Sequence, residues 1–463
     1  MNKTLAFAFL LLTAMWTVAS AAAEKVPYPG GKFYIYRLTL RDKKGSLGSL
    51  DRPKAFLSDR AIKRRARQQL PLDSTDLPVS ASYISGLKRQ GAHIIGMSKW
   101  NNTVLVRSTD TTLMAGLARL PYVQGIRRVF QSPDSMTILT PEEISCTAYD
   151  VKNSADCYGQ AASQIDMLSG RKLHEAGYRG RGMLIAVIDG GYMNANALAS
   201  HYHFNIVGQR DCVWPYNANI YHLLNHGTMV LSTMGAHADS AFVGTAPEAS
   251  YLLLRSEDSR SEQEVEEDYW AQAAEYADSV GADLINTSLG YTRFDNKALS
   301  HQYADQDGQT ALISRTASLL AGKGIILVCS AGNEGAGTWK RIGFPADARH
   351  CLTVAALSSD SVNAPFSSVG PAYDGRVKPD VGALGLGAAV VGGNGKITSA
   401  NGTSFASPIL CGMVACLWQA LPQMSATDII KLVRRSADRS AHPDNVYGYG
   451  IPNFYKAWLY GKQ

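Results

Sequence analysis

The sequence predicts an α/β protein: a mostly parallel, twisted sheet with helices on both faces, preceded by a small α/β domain. Three observations lead there. From about residue 158 onward, short and nearly unbroken apolar runs of strand length recur, which is how strands buried on both faces read. Segments with apolar residues at helical spacing separate them, and a repeated βα order suits parallel strands. Residues 24–135 carry a smaller alternation of strands and helices of their own, and a polar, turn-rich stretch at 136–157 reads as the linker between the two regions.

The 463-residue chain is 46% hydrophobic and 18% charged, the balance of a folded protein rather than a disordered one. Its net charge is +6, from 45 basic and 39 acidic residues, too small an excess to call for a nucleic-acid partner. At the amino terminus Lys3 precedes an apolar run at residues 5–18, which ends in the small residues 19–23. A positive charge, a short apolar core and an A-x-A site make residues 1–23 a secretory signal peptide. The run is shorter than the roughly 20 apolar residues a membrane span needs, and no other candidate follows. The mature chain is expected to be secreted or periplasmic, without stable membrane insertion.

In the small domain, residues 33–40 alternate as a strand, 82–90 have helical spacing, 93–96 and 103–106 read as strands, 111–120 as a helix and 123–129 as a strand. Arg60, Lys63, Arg64, Arg65 and Arg67 form a dense basic run. It lacks aromatic side chains for base stacking and reads as a solvated helix face.

In the larger region, residues 158–463, the apolar strand 184–188 stops at Asp189, and a helix follows His226. Residues 251–254 are a strand and 261–279 a helix. That helix opens with Ser261 and Glu264 at capping-box spacing, and Glu266, Glu267 and Asp268 lie near its positive end. Strand 284–286, helix 310–320, strands 325–329 and 352–355, and the apolar helix 404–420 complete the alternation. The seven cysteines are an odd count, so at least one stays unpaired or pairs with another molecule. Cys146 and Cys157 are the pair best placed for a local bridge in an exported protein, whereas Cys411 and Cys416 read as small buried side chains.

Chemistry in such sheets gathers where strands end and loops begin. Asp189 closes a strand and is followed by Gly190 and Gly191. His226, in Asn225-His226-Gly227-Thr228, stands at a helix start. Asn333 lies between glycines in Ala331-Gly332-Asn333-Glu334-Gly335. Ser404, in Gly402-Thr403-Ser404-Phe405-Ala406-Ser407-Pro408, opens an apolar helix. Singly these could be a turn former, a structural histidine, a left-handed turn and a helix N-cap. Together they supply an acid, a base, an amide donor and a nucleophile, each on a glycine-flanked loop.

The strings His-Gly-Thr-x-Val, Ala-Gly-Asn and Gly-Thr-Ser-x-Ala-Ser-Pro, in the order Asp, His, Ser, resemble those of the subtilisin-like serine peptidases. The resemblance spans about residues 158–460. It implies catalysis by Asp189, His226 and Ser404, an oxyanion hole at Asn333, and substrate binding by Ser288, Leu289, Gly290, Ser330, Ala331 and Gly332. It further implies polypeptide substrates, a monomeric enzyme, and an inhibitory propeptide in residues 24–135, with residues 129–135 reaching into the substrate cleft. No cofactor is implied. Calcium commonly supports the family, but no full set of oxygen ligands can be matched in the sequence. Two positions depart from the family pattern: Gly190 where many members have Ser or Thr, and Phe405 where many have Met.

Three other readings are weaker. An α/β-hydrolase places its acid and histidine after the serine, and only His442 follows Ser404. A zinc site from His201, His203, His222 and His226 has Leu223 where a metalloprotease needs Glu. A catalytically silent binding protein on the peptidase fold would usually lack one of the four groups, and all four are present.

Overall fold

Seven parallel strands form the central sheet, in the spatial order Val381–Leu384, Leu352–Leu357, Ile326–Ser330, Leu284–Thr287, Leu184–Asp189, Ser250–Arg255 and Ile206–Asp211. The computed structural model describes residues 25–137, 143–144, 155–215 and 219–463; the signal-peptide reading and most of the linker fall outside them.

Strands Leu184–Asp189, Leu284–Thr287, Ile326–Ser330 and Leu352–Leu357 are buried at every position. The period of two explains how one strand serves two cores. Ile185, Val187, Leu284, Ile326 and Val354 face one core together with Leu410 and Val414 of the helix Thr403–Ala420. Ala186, Ile188, Ile285, Leu327 and Cys329 face the other, with Trp270 and Ala274 of the helix Val265–Val280. Cys411 and Cys416 are fully buried, as their apolar segment implies. Cys157 is an exposed free thiol; Cys146, its expected partner, lies outside the described residues.

The amino-terminal domain is an antiparallel sheet in the order His93–Ser98, Thr103–Ser108, Tyr34–Leu40 and Val123–Gln131, with the helices Asp59–Arg67 and Ala81–Arg89. Phe33, Ile35, Trp100, Leu105 and Phe130 join the core of the larger region, so the two domains share one apolar interface centred on the helix Val265–Val280.

That interface overturns the solvated reading of the basic run. Arg64 and Arg65 are 3% and 2% exposed. Arg65 donates to both oxygens of Asp278 at 2.9 and 2.8 Å and to Asp76 at 2.9 Å, and Arg64 reaches Asp278 at 2.5 Å. Their partner lies more than two hundred residues along the chain, where no local pattern could reveal it.

The helix expected over 261–279 begins instead at Val265, with no side-chain cap. Ser261 is held in a turn by the Asp258 carbonyl, so the capping box does not form. The acidic residues do sit in the first turn, but buried: Glu267 accepts from His301 at 2.6 Å, and Asp268 takes Arg37 at 2.8 and 2.9 Å.

The expected reach of residues 129–135 into the cleft is also corrected. Val129 and Phe130 are buried in the interface, and Gln263 pairs with the backbone of Gln131 at 2.8 and 2.9 Å. Ser135–Thr137 then returns to pair with Lys25–Pro27.

Candidate active site

Asp189, Ser288 and Ser330 stand at the same end of the sheet, because their strands run parallel and in register. Asp189 is 1% exposed. Nδ1 of His226 lies 2.9 and 3.0 Å from its two oxygens. A carboxylate can only accept, so Nδ1 carries the proton and Nε2 is left as the basic nitrogen.

Gly227 explains how the helix His226–Gly235 comes so close. Its N–H donates to the Gly191 carbonyl at 3.0 Å, and a Cβ there would stand 2.3 Å from that same oxygen. The Gly190 departure also has a physical basis. Its N–H donates to Asp189 Oδ1 at 2.8 Å, and a Cβ on Gly190 would lie 2.6 Å from a carboxylate oxygen of Glu257. Glu257 fills the place where a Ser or Thr side chain would go.

Ser404 lies in the first turn of the helix Thr403–Ala420, where unpaired backbone N–H groups favour negative charge. Its hydroxyl donates to the Ser288 carbonyl at 3.0 Å, and the Ser288 hydroxyl donates back to the Ser404 carbonyl at 2.8 Å. In this arrangement the Ser404 hydroxyl gives its proton to the Ser288 carbonyl and not to His226. Phe405, the second departure, places its ring 5.8 Å from the imidazole.

Asn333 follows the strand Ile326–Ser330. Its Oδ1 accepts from the backbone N–H and the hydroxyl of Thr403, both at 2.9 Å. With the oxygen held there, the amide nitrogen is the end free to donate into the cleft.

A cleft of about 420 Å³ joins His226, Asn333 and Ser404 with Ser288, Leu289, Gly290, Ser330 and Gly332. Ala331 is the exception among the expected substrate-binding residues. It is fully buried, and its N–H donates to the Val354 carbonyl, so its side chain belongs to the core behind the wall. Glu257 and Leu224 also line the cleft. Neither lies in a recognisable string, and nothing local in the sequence marks Glu257 as adjacent to Asp189.

Burial disfavours the His226 cation, but the Asp189 charge, the hydrogen bond to it and the Glu257 charge outweigh this and raise its pKa above the ordinary value. Burial, with Asp189 close by, pushes the Glu257 carboxyl up to about 7. Among the described residues, no group of three His, Cys, Asp or Glu is arranged to hold a metal ion. The helix Thr403–Ala420 is long and apolar enough to cross a membrane, but it is 89% buried as the core helix.

Comparison with known proteins agrees with this architecture. The subtilase family pattern matches residues 180–450, more than half of the chain, and the chain belongs to that family as a subtilisin-like serine endopeptidase, a hydrolase. Residues 35–142 match the peptidase S8 propeptide domain of Bacteroidota, so the enzyme is made with a propeptide. Subtilisin DY of Bacillus licheniformis is 29% identical over 296 residues, covering 62% of this chain and 95% of that protein. Subtilisin NAT of Bacillus subtilis subsp. natto is 30% identical over 292 residues, 62% of this chain and 69% of that protein. An alkaline protease of Alkalihalobacillus alcalophilus is 26% identical over 327 residues, 68% and 76% of the two chains.

Proposed function

We propose that this endopeptidase cleaves polypeptides through Asp189, His226 and Ser404, by way of an acyl-enzyme, and that it is exported as a self-processing zymogen. The observation that carries the reading is the paired contact of His226 with both oxygens of Asp189, in a cleft that also holds Ser404 and Asn333.

A serine hydroxyl is a poor nucleophile at neutral pH, so His226 Nε2 takes its proton as Oγ attacks the peptide carbonyl. Asp189 holds the imidazole in the required tautomer and stabilises the cation that forms. The oxyanion is met by the Asn333 amide and the Ser404 N–H at the helix start. His226 then protonates the leaving amine, and water repeats the sequence to release the acid. All of these groups belong to the chain, so the reading calls for no cofactor.

The subtilisin-like relatives support export, and a signal peptide at residues 1–23 would direct the chain to the periplasm or the exterior as a monomer. There residues 24–135 act as an inhibitor until cleavage within or near the linker at 136–157 frees the enzyme, residues 158–463. A fluorophosphonate probe tests the chemistry: it labels the wild type at Ser404 and leaves Ser404→Ala unlabelled. Mass measurement of the exported chains tests self-processing. Equal trimming of wild type and Ser404→Ala refutes it.

A further inference from the structure

Glu257 follows the strand Ser250–Arg255 and stands partly buried against the Asp189–Gly190 corner. It shares the cleft with His226, Leu224, Ser288 and Ser404. Among the described residues no donor hydrogen-bonds its carboxylate. Arg255, two positions earlier, turns away: its guanidinium donates to the Gly190 carbonyl at 3.2 Å and to Asp211 at 2.9 Å. Asp258, the next residue, is already held by Arg260 and by the Tyr28 hydroxyl. The other charged groups near Glu257 are Asp189, His226, Glu262 and Glu266. The set is rich in carboxylates, and one of them opens on a peptide-binding cleft without a cation of its own.

An extended peptide lying along residues 288–290 sends successive side chains to opposite sides. The residue before the scissile bond enters between residues 288–290 and Ser330 with Gly332. The residue before that one faces the opposite wall, which carries His226, Leu224 and Glu257. We infer that this wall is a subsite for a lysine or arginine side chain two residues before the scissile bond, with Glu257 as its partner. The inference rests on the peptidase reading above. Leu224 gives the aliphatic stem an apolar surface, and the ammonium or guanidinium head reaches the carboxylate. A protonated Glu257 offers the cation no charge, so the preference strengthens as pH rises through neutrality. His226 titrates too, but its effect is common to all substrates and cancels in a ratio.

The test uses the purified, processed enzyme and peptides identical except for Lys, Leu or Glu two residues before the cleaved bond, with product masses fixing the bond cut. A charge-assisted hydrogen bond corresponds to about a tenfold or greater ratio of kcat/KM for Lys over Leu on the alkaline side of neutrality. The ratio should shrink on the acid side, with Glu the poorest substrate. Glu257→Gln should bring the Lys to Leu ratio close to one at every pH, whatever its absolute rate. Equal rates on Lys and Leu peptides, or a Lys preference that survives Glu257→Gln, overturn the subsite while leaving the peptidase reading intact. No cleavage of any peptide, with no fluorophosphonate labelling of Ser404, overturns both.

Discussion

Asn333 Oδ1 accepts two hydrogen bonds from Thr403, one from its N–H and one from its hydroxyl, each at 2.9 Å. The same hydroxyl accepts from the Gly332 N–H at 3.1 Å. One threonine, the neighbour of Ser404, thus fixes which end of the Asn333 amide faces the cleft. Asn333→Leu is expected to lower kcat by about a hundred- to thousandfold with KM little changed, a magnitude borrowed from the corresponding amide of a subtilisin. Thr403→Val keeps the amide and its bond from the backbone N–H but removes the one from the hydroxyl, and a lost neutral hydrogen bond of about 1 kcal/mol corresponds to a severalfold drop. Steady-state kinetics on one peptide separates the two, and an unchanged kcat in Asn333→Leu would remove the oxyanion role.

The raised pKa of His226 has a direct kinetic consequence. In the proposed mechanism His226 must be neutral to accept the serine proton, so kcat/KM is expected to climb with pH through an apparent pKa above the ordinary histidine value. Glu257→Gln removes one of the charges that favour the imidazolium, and the acid limb should move to lower pH. The limb is read with a peptide carrying Leu at the variable position, so that substrate charge plays no part.

Asp278, on the helix Val265–Val280, is the shared partner of Arg64 and Arg65 in the amino-terminal domain. Asp278→Ala leaves two buried cations without it, and breaking such a pair costs about 3–5 kcal/mol. The expected outcome is failed docking of the propeptide. After processing, the wild-type fragment co-elutes with the catalytic domain on gel filtration, and the variant's does not.

Within the catalytic domain, Asp380 holds Lys378 at 2.8 Å and Arg434 at 2.5 Å. Burial penalises its charge, but Arg434 and Lys378 prevail and lower its pKa. A depressed carboxylate contributes stability that is complete above the ordinary Asp range and is lost as pH falls through the lowered value. Asp380→Asn leaves both cations uncompensated and should destabilise the fold by about 3–5 kcal/mol. Urea unfolding at neutral pH should show this deficit, and the variant's deficit should narrow in acid.

The central strands were legible because burial on both faces writes a continuous apolar run, as at 184–188. The outer strands Ile206–Asp211 and Val381–Leu384 were not. The first exposes most of its polar residues, and the second is four residues long and contains Gly382. Asp189, His226, Asn333 and Ser404 stood out because each sits on a glycine-flanked loop within a distinctive string. Glu257 did not, since its position depends on how the end of one strand meets the glycine corner of its neighbour. Arg65 was misread for a related reason: exposure is decided by a helix far along the chain.

Removing the amino-terminal domain takes Arg37, Arg60, Arg64 and Arg65 away from Asp268, Asp278 and Asp283. The liberated enzyme then presents a patch of negative potential on the flank away from the helix Thr403–Ala420. Encounter with the detached basic fragment is steered by that field and slows as ionic strength rises. Salt in the surroundings thereby governs how long a released molecule stays uninhibited.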